Sequence, residues 1–308
     1  MGLKINSIMN QVISIFLIII IGFYGSKRKI ITKELNKGLT EILTKITLPL
    51  MIIASFNITY NSSIKSNIRK TLFYSAIIII LSIVVTHLLL LIVKDKNKRK
   101  ILEFGNVFSN CGFMGFPIIE SIYGSEGIIY ASIFNMFFSI FMWSYGVMLF
   151  SDKISLKEIK KVLLNPGVIG VYIGALIMLL NIKMPEVIFS SIKSVGSITT
   201  PLSMLIIGSI LTNINLGGYL KDITIYYGSF IKLIIIPMIT LLFFVFIKED
   251  SVVSKTLVIL QAMPAAAMTS ILAESFNKKA EYAAVFVFMT TFLSVFTFSC
   301  VLKIVLKI

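Results

Sequence analysis

Residues 106–120 read Asn106-Val-Phe-Ser-Asn-Cys-Gly-Phe-Met-Gly-Phe-Pro-Ile-Ile-Glu120 and lie in a chain that is apolar nearly throughout. Two glycines, Gly112 and Gly115, and the proline Pro117 fall close together in this stretch. An unpaired backbone N–H or C=O costs several kcal/mol in hydrocarbon, so helices that face lipid stay unbroken. A broken helix is tolerated only where it is buried in protein or lines a cavity. The stretch therefore predicts an interrupted membrane helix at a binding site.

The overall composition indicates an integral membrane protein. Of the 308 residues, 57% are hydrophobic and 14% are charged, whereas a soluble domain carries about 25% charged residues. The net charge of +15 is compatible with nucleic-acid binding, but the lysines and arginines form short clusters between apolar runs. Such clusters orient polytopic membrane proteins. We therefore expect the lipid bilayer, and no nucleic acid, as a partner.

Several residue types that enzymes and metal proteins need are scarce. His87 is the single histidine, and Cys111 and Cys300 both lie inside apolar runs without metal-ligand spacing. There is no phosphate-binding loop of the kind that holds ATP. The four aspartates all fall in predicted loops, at Asp95, Asp152, Asp222 and Asp250. We expect no enzyme activity, no catalytic residues, no metal and no cofactor.

Hydropathy predicts an all-α membrane fold with ten spans, since about 20 apolar residues cross a bilayer. The approximate spans are 7–25, 38–57, 71–93, 102–121, 128–150, 165–181, 192–213, 223–247, 254–275 and 281–305. The loops after the odd-numbered spans hold 17 of the 29 lysines and arginines. By the positive-inside rule these loops are cytoplasmic. The chain is thus predicted to be a multi-pass cell-membrane protein with both termini outside the cytoplasm.

Short sequence motifs recur in the same order in the two halves of the chain. Ile46-Thr-Leu-Pro-Leu50 returns as Ile198-Thr-Thr-Pro-Leu202, an offset of 152 residues. Matches at offsets of 152 to 154 also relate Tyr74 to Tyr226, Glu120-Ser121 to Glu274-Ser275, and Tyr130-Ala131 to Tyr282-Ala283. Five spans per copy is an odd number, so the second copy is inserted upside down, as in secondary transporters. We predict a first repeat over 1–151, a short cytoplasmic linker over 152–164 and an inverted repeat over 165–308.

The ninth span is the mirror of the fourth and is interrupted as well. Residues 261–270 read Gln261-Ala-Met-Pro-Ala-Ala-Ala-Met-Thr-Ser270, and a proline removes a backbone donor and clashes with the preceding turn. If spans four and nine are broken and cross, their half-helix N-termini offer partial positive charge and N–H groups to a carboxylate. The alternative is that proline and glycine only kink packed helices. The candidate substrate-binding residues are Asn110, Cys111, Gly112, Gly115, Pro117, Gln261, Pro264 and Thr269.

Charged residues within or near spans allow more than one interpretation. Lys45 is either an entrance charge for substrate or a structural partner of Glu41, four residues earlier. Lys232 has no acidic neighbour on its own helix, and we expect its side chain to reach the membrane surface. Glu120 is expected to be a solvated carboxylate near a helix end, and His87 a packed or interfacial residue.

Two prolines lie in the middle of the second and seventh spans. Pro49 and Pro201 are expected to kink these helices, and the kinked helices can still line the cavity. The carbonyls that the prolines leave free are expected to bond either to the hydroxyls of Thr47 and Thr199 or to a neighbouring helix.

Several short sequence motifs together resemble the auxin efflux carrier family, in its shorter bacterial branch. The match to the fourth-helix motif of that family is Asn110-Cys-Gly-Phe-Met-Gly-Phe-Pro117. Further resemblances lie in Trp143-Ser-Tyr-Gly146, Asn165-Pro-Gly-Val-Ile-Gly170, Pro201-Leu-Ser-Met-Leu-Ile-Ile-Gly208, Ala262-Met-Pro-Ala265 and Leu272-Ala-Glu-Ser-Phe-Asn277.

The resemblance implies ten helices in two inverted five-helix repeats, with helices four and nine unwound and crossed. It implies export or exchange of organic anions, an elevator-like movement and a homodimer. Thr269 stands where plant carriers have a second proline, so auxin is not the expected substrate.

The first hypothesis is therefore a secondary transporter for small organic anions, such as di- or monocarboxylates of the malate type. Alternating access would move helices three to five and eight to ten against helices one, two, six and seven. One alternative is a sodium- or proton-coupled symporter similar to the bile-acid carriers. Another is a membrane sensor that transports nothing.

Overall fold

The computed structural model describes residues 2–57, 62–150, 164–212 and 217–307. Within these ranges the regular structure is entirely helical. The predicted linker at 152–164 lies outside the described residues except for Leu164. The all-α part of the prediction is therefore confirmed for the described part of the chain.

Eleven helices occupy the described ranges, together with one 3₁₀ turn at Gly217–Lys221. Six of them (α2, α3, α5, α7, α8 and α11) are long and apolar enough to cross a membrane. The bounds are α1 Gly2–Lys27, α2 Lys33–Ser55, α3 Ser62–Leu90, α4 Lys96–Val107, α5 Cys111–Phe150, α6 Pro166–Leu179, α7 Glu186–Leu211, α8 Ile223–Phe246, α9 Val252–Gln261, α10 Met268–Ser275 and α11 Ala280–Lys307.

Two interruptions fall where the sequence predicted broken helices. The first separates α4 from α5 at residues 108–110, and the second separates α9 from α10 at residues 262–267. The short loop predicted between spans four and five is instead a kink within α5. It lies at Gly124, whose φ of 58° and ψ of −147° suit only glycine.

Four π-helical turns occur in the described helices, at Leu43–Thr47, Cys111–Gly115, Met142–Gly146 and Ile231–Ile235. Three of these turns end two residues before a proline: Pro49, Pro117 and Pro237. A proline has no N–H and its ring clashes with the carbonyl one turn back. Widening the turn relieves the clash and lets the helix continue through the proline.

The chain divides into two compact units, and each takes segments from both halves of the sequence. Unit 1 consists of Met1–Leu72, Gly112–Met136 and Lys160–Asn213. Unit 2 consists of Phe73–Cys111, Phe137–Ile159 and Ile214–Ile308.

Unit 1 is held together in part by the close approach of α1 and α7. A methyl group on Gly22 would lie 2.3 Å from the carbonyl oxygen of Leu205, and one on Gly208 would lie 2.0 Å from that of Ile19. Any larger residue at Gly22 or Gly208 would force the two helices apart. Small residues at such contacts are the usual means by which membrane helices pack.

Unit 2 is built around α9, which is buried over most of its length. Val253, Leu257, Ile259 and Leu260 are all fully buried, and α9 packs against α8 and α11. The hydroxyl of Ser251 caps the helix by accepting a hydrogen bond from the Ser254 N–H. In the reciprocal bond, the Ser251 N–H donates to Ser254 Oγ. This buried helix ends at the second interruption.

Candidate functional site

The two interruptions pair with each other inside unit 2. Ser109 and Ala265 form an antiparallel bridge. The Asn110 N–H donates to the Pro264 carbonyl at 2.7 Å, and the Ala266 N–H donates to the Phe108 carbonyl at 2.9 Å. Buried backbone groups need such partners. Each unwound segment therefore supplies hydrogen-bond partners to backbone groups of the other segment that are no longer paired within a helix.

A buried polar network surrounds this pairing. The Lys232 ammonium donates to the Asn106 carbonyl at 3.1 Å and to Ser109 Oγ. Ser109 Oγ donates to Gln261 Oε1 at 3.3 Å, and Gln261 Nε2 donates to Ser82 Oγ at 3.1 Å. These four side chains and one backbone carbonyl come from α3, α8, the ends of α4 and α9, and the interruption that follows α4. The network joins four helices of unit 2 at the two interruptions.

The prediction that Lys232 reaches the membrane surface is wrong. Its side chain is fully buried and lies in the π-turn Ile231–Ile235 of α8. No ion pair to Lys232 occurs within the described ranges. Its depth was visible in the sequence, since it lies well inside the span predicted at 223–247, but its oxygen partners come from distant segments.

Thr269 is the second residue of α10, the helix that follows the second interruption. It is completely buried, and its hydroxyl has no hydrogen-bond partner among the described residues. Buried side-chain polar groups nearly always have one. The neighbouring Ala265 N–H, by contrast, donates to Thr290 Oγ1 of α11 at 3.2 Å. Thr269 therefore presents an unused donor close to the paired segments.

The sequence-predicted residues fall into two groups. The structure gathers Asn110, Cys111, Gln261 and Pro264 at the paired segments of unit 2, all of them buried, with Thr269 directly beyond. Cys111 is a free thiol whose Sγ lies 3.9 Å from the Leu260 carbonyl oxygen. The remaining three, Gly112, Gly115 and Pro117, belong to unit 1, in the first turns of α5.

The other predicted residues lie on α2 and α7 in unit 1. The Lys45 ammonium lies 3.0 Å from Glu41 on an exposed face, as the structural alternative predicts. Thr47 Oγ1 donates at 3.4 Å to the Leu43 carbonyl, which already accepts from the Leu48 N–H, and not to the Lys45 carbonyl four residues before Pro49. The equivalent expectation for Thr199, before Pro201, is wrong: its hydroxyl is buried without a partner among the described residues.

Glu103 was missed in the sequence, although it lies inside the predicted fourth span. Its carboxylate is buried and accepts hydrogen bonds from His87 Nδ1 at 3.0 Å and from the Tyr145 hydroxyl. His87 itself is 53% exposed at its side chain. A glutamate just inside a span was the signal, but its partners stand 16 and 42 residues away.

Glu120 also differs from expectation, because α5 continues through it. It is partly buried and accepts from Thr200 Oγ1 at 2.9 Å. With Asn57 and Lys193 it lines a cavity of about 120 Å³ in unit 1. In the part of the chain that the structure describes, no group of histidine, cysteine and carboxylate side chains could hold a metal ion.

Comparison with known proteins places this geometry in a family. The model of a membrane transport protein family matches residues 7–155 and again residues 151–302. A protein of Methanocaldococcus jannaschii named as an uncharacterized transporter is 23% identical over 300 residues, covering 92% of this chain and 94% of its own length. The chain therefore belongs to the auxin efflux carrier-like membrane transport family, and it is a multi-pass membrane transporter and not an enzyme.

Proposed function

We propose that this protein is a secondary transporter of small organic anions, such as di- or monocarboxylates, that works by alternating access. The anion binds where the two interruptions meet. The observation that carries this proposal is the pairing of residues 108–110 with residues 264–266 in unit 2. Unwound helix segments at membrane depth are the usual sites of substrate in transporters.

The groups near the pairing suit an anion. The half-helix α10 begins there with its partial positive end, and the Thr269 hydroxyl is an unused buried donor. The Lys232 ammonium adds a positive charge with no counter-charge among the described ion pairs. Asn110, Cys111 and Gln261, which also belong to unit 2, complete the proposed binding residues.

We further propose that the chain forms ten spans in two inverted five-helix repeats, with crossed helices four and nine. The double match to one family model, over residues 7–155 and 151–302, supports a repeat. Unit 2 contains most of the segments predicted to move, and unit 1 most of the predicted scaffold. We also propose that transport occurs by an elevator-like movement and that the protein forms a homodimer.

The proposal is tested by uptake of labelled carboxylates into proteoliposomes. Asn110→Ala should reduce uptake of the transported anion at least tenfold, since one hydrogen bond to a charged group contributes about 1.5–3 kcal/mol. Asn97→Ala, the same change at an exposed position near the start of α4, is the matched control and should transport normally. Equal uptake by both variants would contradict the proposed site, and absence of uptake for every organic acid tried would contradict the proposed function.

A further inference from the structure

The surroundings of the Lys232 ammonium are those of a cation site made of oxygens. Its two hydrogen-bond acceptors are the Asn106 carbonyl, at 3.1 Å, and Ser109 Oγ, which is itself bonded to Gln261 Oε1. All of these groups are buried. Sodium ions in transporters are held by the same kinds of group, namely carbonyls of unwound backbone and of half-helix C-terminal ends.

The position on α4 strengthens the likeness. Asn106 is the penultimate residue of α4, which ends at Val107. The last carbonyls of a helix have no intrahelical partner and carry its partial negative charge. The side-chain oxygen of Asn106 is also buried without a hydrogen-bond partner among the described residues. The end of this half-helix is thus rich in acceptors that a cation would satisfy.

We propose that the Lys232 ammonium takes the place of a coupling cation, so that this transporter carries a built-in cation and does not need sodium. An ammonium on a four-carbon stem reaches the oxygens from α8 and cannot leave with the substrate. The π-turn Ile231–Ile235, which precedes Pro237, widens α8 at this lysine. The inference rests on the proposed function and selects against its sodium-coupled alternative.

Removing the ammonium should convert the site into one that sodium can enter. Lys232→Ser removes the donor to the Asn106 carbonyl and to Ser109 Oγ, which keeps its bond to Gln261, and adds space and a hydroxyl. Because buried unpaired acceptors are costly, we expect this variant to unfold at a lower temperature than the wild type in potassium chloride. Sodium chloride should restore about 3–5 °C of the loss in a saturable manner, as expected for a ligand at about ten times its Kd.

The test compares thermal unfolding of the full-length protein in detergent, in sodium chloride and in potassium chloride at equal ionic strength. The wild type should unfold at the same temperature in both salts. Lys303→Ser, the same substitution at an exposed position of α11, should behave like the wild type. Sodium-specific stabilisation of the wild type would overturn the proposal, and so would a folded Lys232→Ser variant that responds equally to both salts.

If Lys232→Ser folds in neither salt, sodium binding is measured on the wild-type protein instead. Binding of radioactive sodium to the wild-type protein would then overturn the proposal, and its absence would support it. These readouts need no transported substrate. If the wild-type protein shows no response to sodium and also transports no carboxylate, the proposed function is contradicted while the built-in cation is supported.

Discussion

The hydroxyl of Thr269 is the most specific atom of the proposed site to test, because it is buried and has no hydrogen-bond partner among the described residues. Thr269→Val keeps the shape and removes the hydroxyl. If this group donates to the transported anion, its loss should raise the KM for uptake roughly 10-fold or more, as for a hydrogen bond to a charged group. Thermal stability should not fall, because no hydrogen bond within the protein is lost.

Thr256 provides a control for this prediction. It is also completely buried with a partnerless hydroxyl among the described residues, but it lies within α9, before the interruption. Thr256→Val should leave both KM and stability nearly unchanged. An equal effect of the two substitutions on KM would show that Thr269 acts through helix packing and not through the anion.

Glu103 is the buried carboxylate whose removal should matter most for stability. It accepts hydrogen bonds from His87 and Tyr145, and Glu103→Ala would leave the partly buried tyrosine hydroxyl without its acceptor. We expect a loss of about 2–4 kcal/mol in the free energy of unfolding. Glu103→Gln keeps an acceptor and should cost about 1 kcal/mol. The comparison is made by thermal unfolding in detergent, and an equal cost for both changes would show that charge, not hydrogen bonding, holds this cluster.

At the level of helices, the π-turn of α8 links a proline to the buried lysine. Replacing a proline inside a helix usually stabilises the helix, by up to about 3 kcal/mol. In Pro237→Ala the turn Ile231–Ile235 is free to close to a regular α-helix. Closing it would rotate Lys232 away from Asn106 and Ser109, so we expect a net loss of stability instead of a gain.

Pro49→Ala is the matched change in α2. The π-turn before Pro49 contains Lys45, which is exposed and pairs with Glu41 on its own helix. Among the described residues, the side-chain hydrogen bonds of that turn stay within α2, so the substitution should be neutral or stabilising. The prediction fails if Pro237→Ala stabilises the protein as much as Pro49→Ala in the same thermal assay.

The loops that begin α4, α8 and α11 are tied together by ion pairs. Asp95 caps α4 and lies 2.6 Å from the Lys279 ammonium, and Lys98 pairs with Asp222, the cap of α8. The Lys279 ammonium, followed by the Lys98 backbone N–H, lowers the pKa of Asp95. Burial acts to raise the pKa of Asp222, but Lys98 and Thr224 donate to its carboxylate and the net shift is downward.

These depressed pKa values determine the sign of the pH dependence. A carboxyl group with a lower pKa in the folded state contributes stability above its unfolded pKa, near 4, which is lost as the pH falls through the folded value. We therefore expect the unfolding temperature to drop as the pH falls below about 4.

Asp95→Asn should separate the ion pair from the helix cap, because asparagine caps helices equally well. The pair is partly exposed to solvent, so its loss should cost only about 0.5–1 kcal/mol at pH 7. The variant should also show a shallower acid transition. As a comparison, Asp250→Asn removes the ion pair that this loop residue forms with Lys255 of α9, and it leaves the helix caps unchanged. A steeper acid transition in Asp95→Asn than in the wild type would refute the assignment.

Across the whole molecule, the sequence predicts local features better than burial. The interruptions at 108–110 and 262–267 follow from glycine and proline, whose backbone effects act within a turn. The burial of Lys232 depends on oxygens 123 and 126 residues away, and the partners of Glu103 come from two other helices. Such contacts are set by the packing of distant helices, and one sequence does not specify which distant side chains meet.

The orientation in the membrane is predicted from the whole chain, because it depends on the distribution of lysine and arginine over all loops. If the positive-inside rule holds here, the loop before α4 is cytoplasmic and the loop between α6 and α7 is outside. Single cysteines at Lys96→Cys and Lys183→Cys, both exposed positions, report on the two sides. The background needs only Cys300→Ser, because Cys111 is buried.

In intact cells a membrane-impermeant maleimide should label Lys183→Cys and leave Lys96→Cys unlabelled until the cells are permeabilised. Labelling in the opposite order would place both termini in the cytoplasm. It would also mean that the 17 basic residues of the odd-numbered loops do not set the topology.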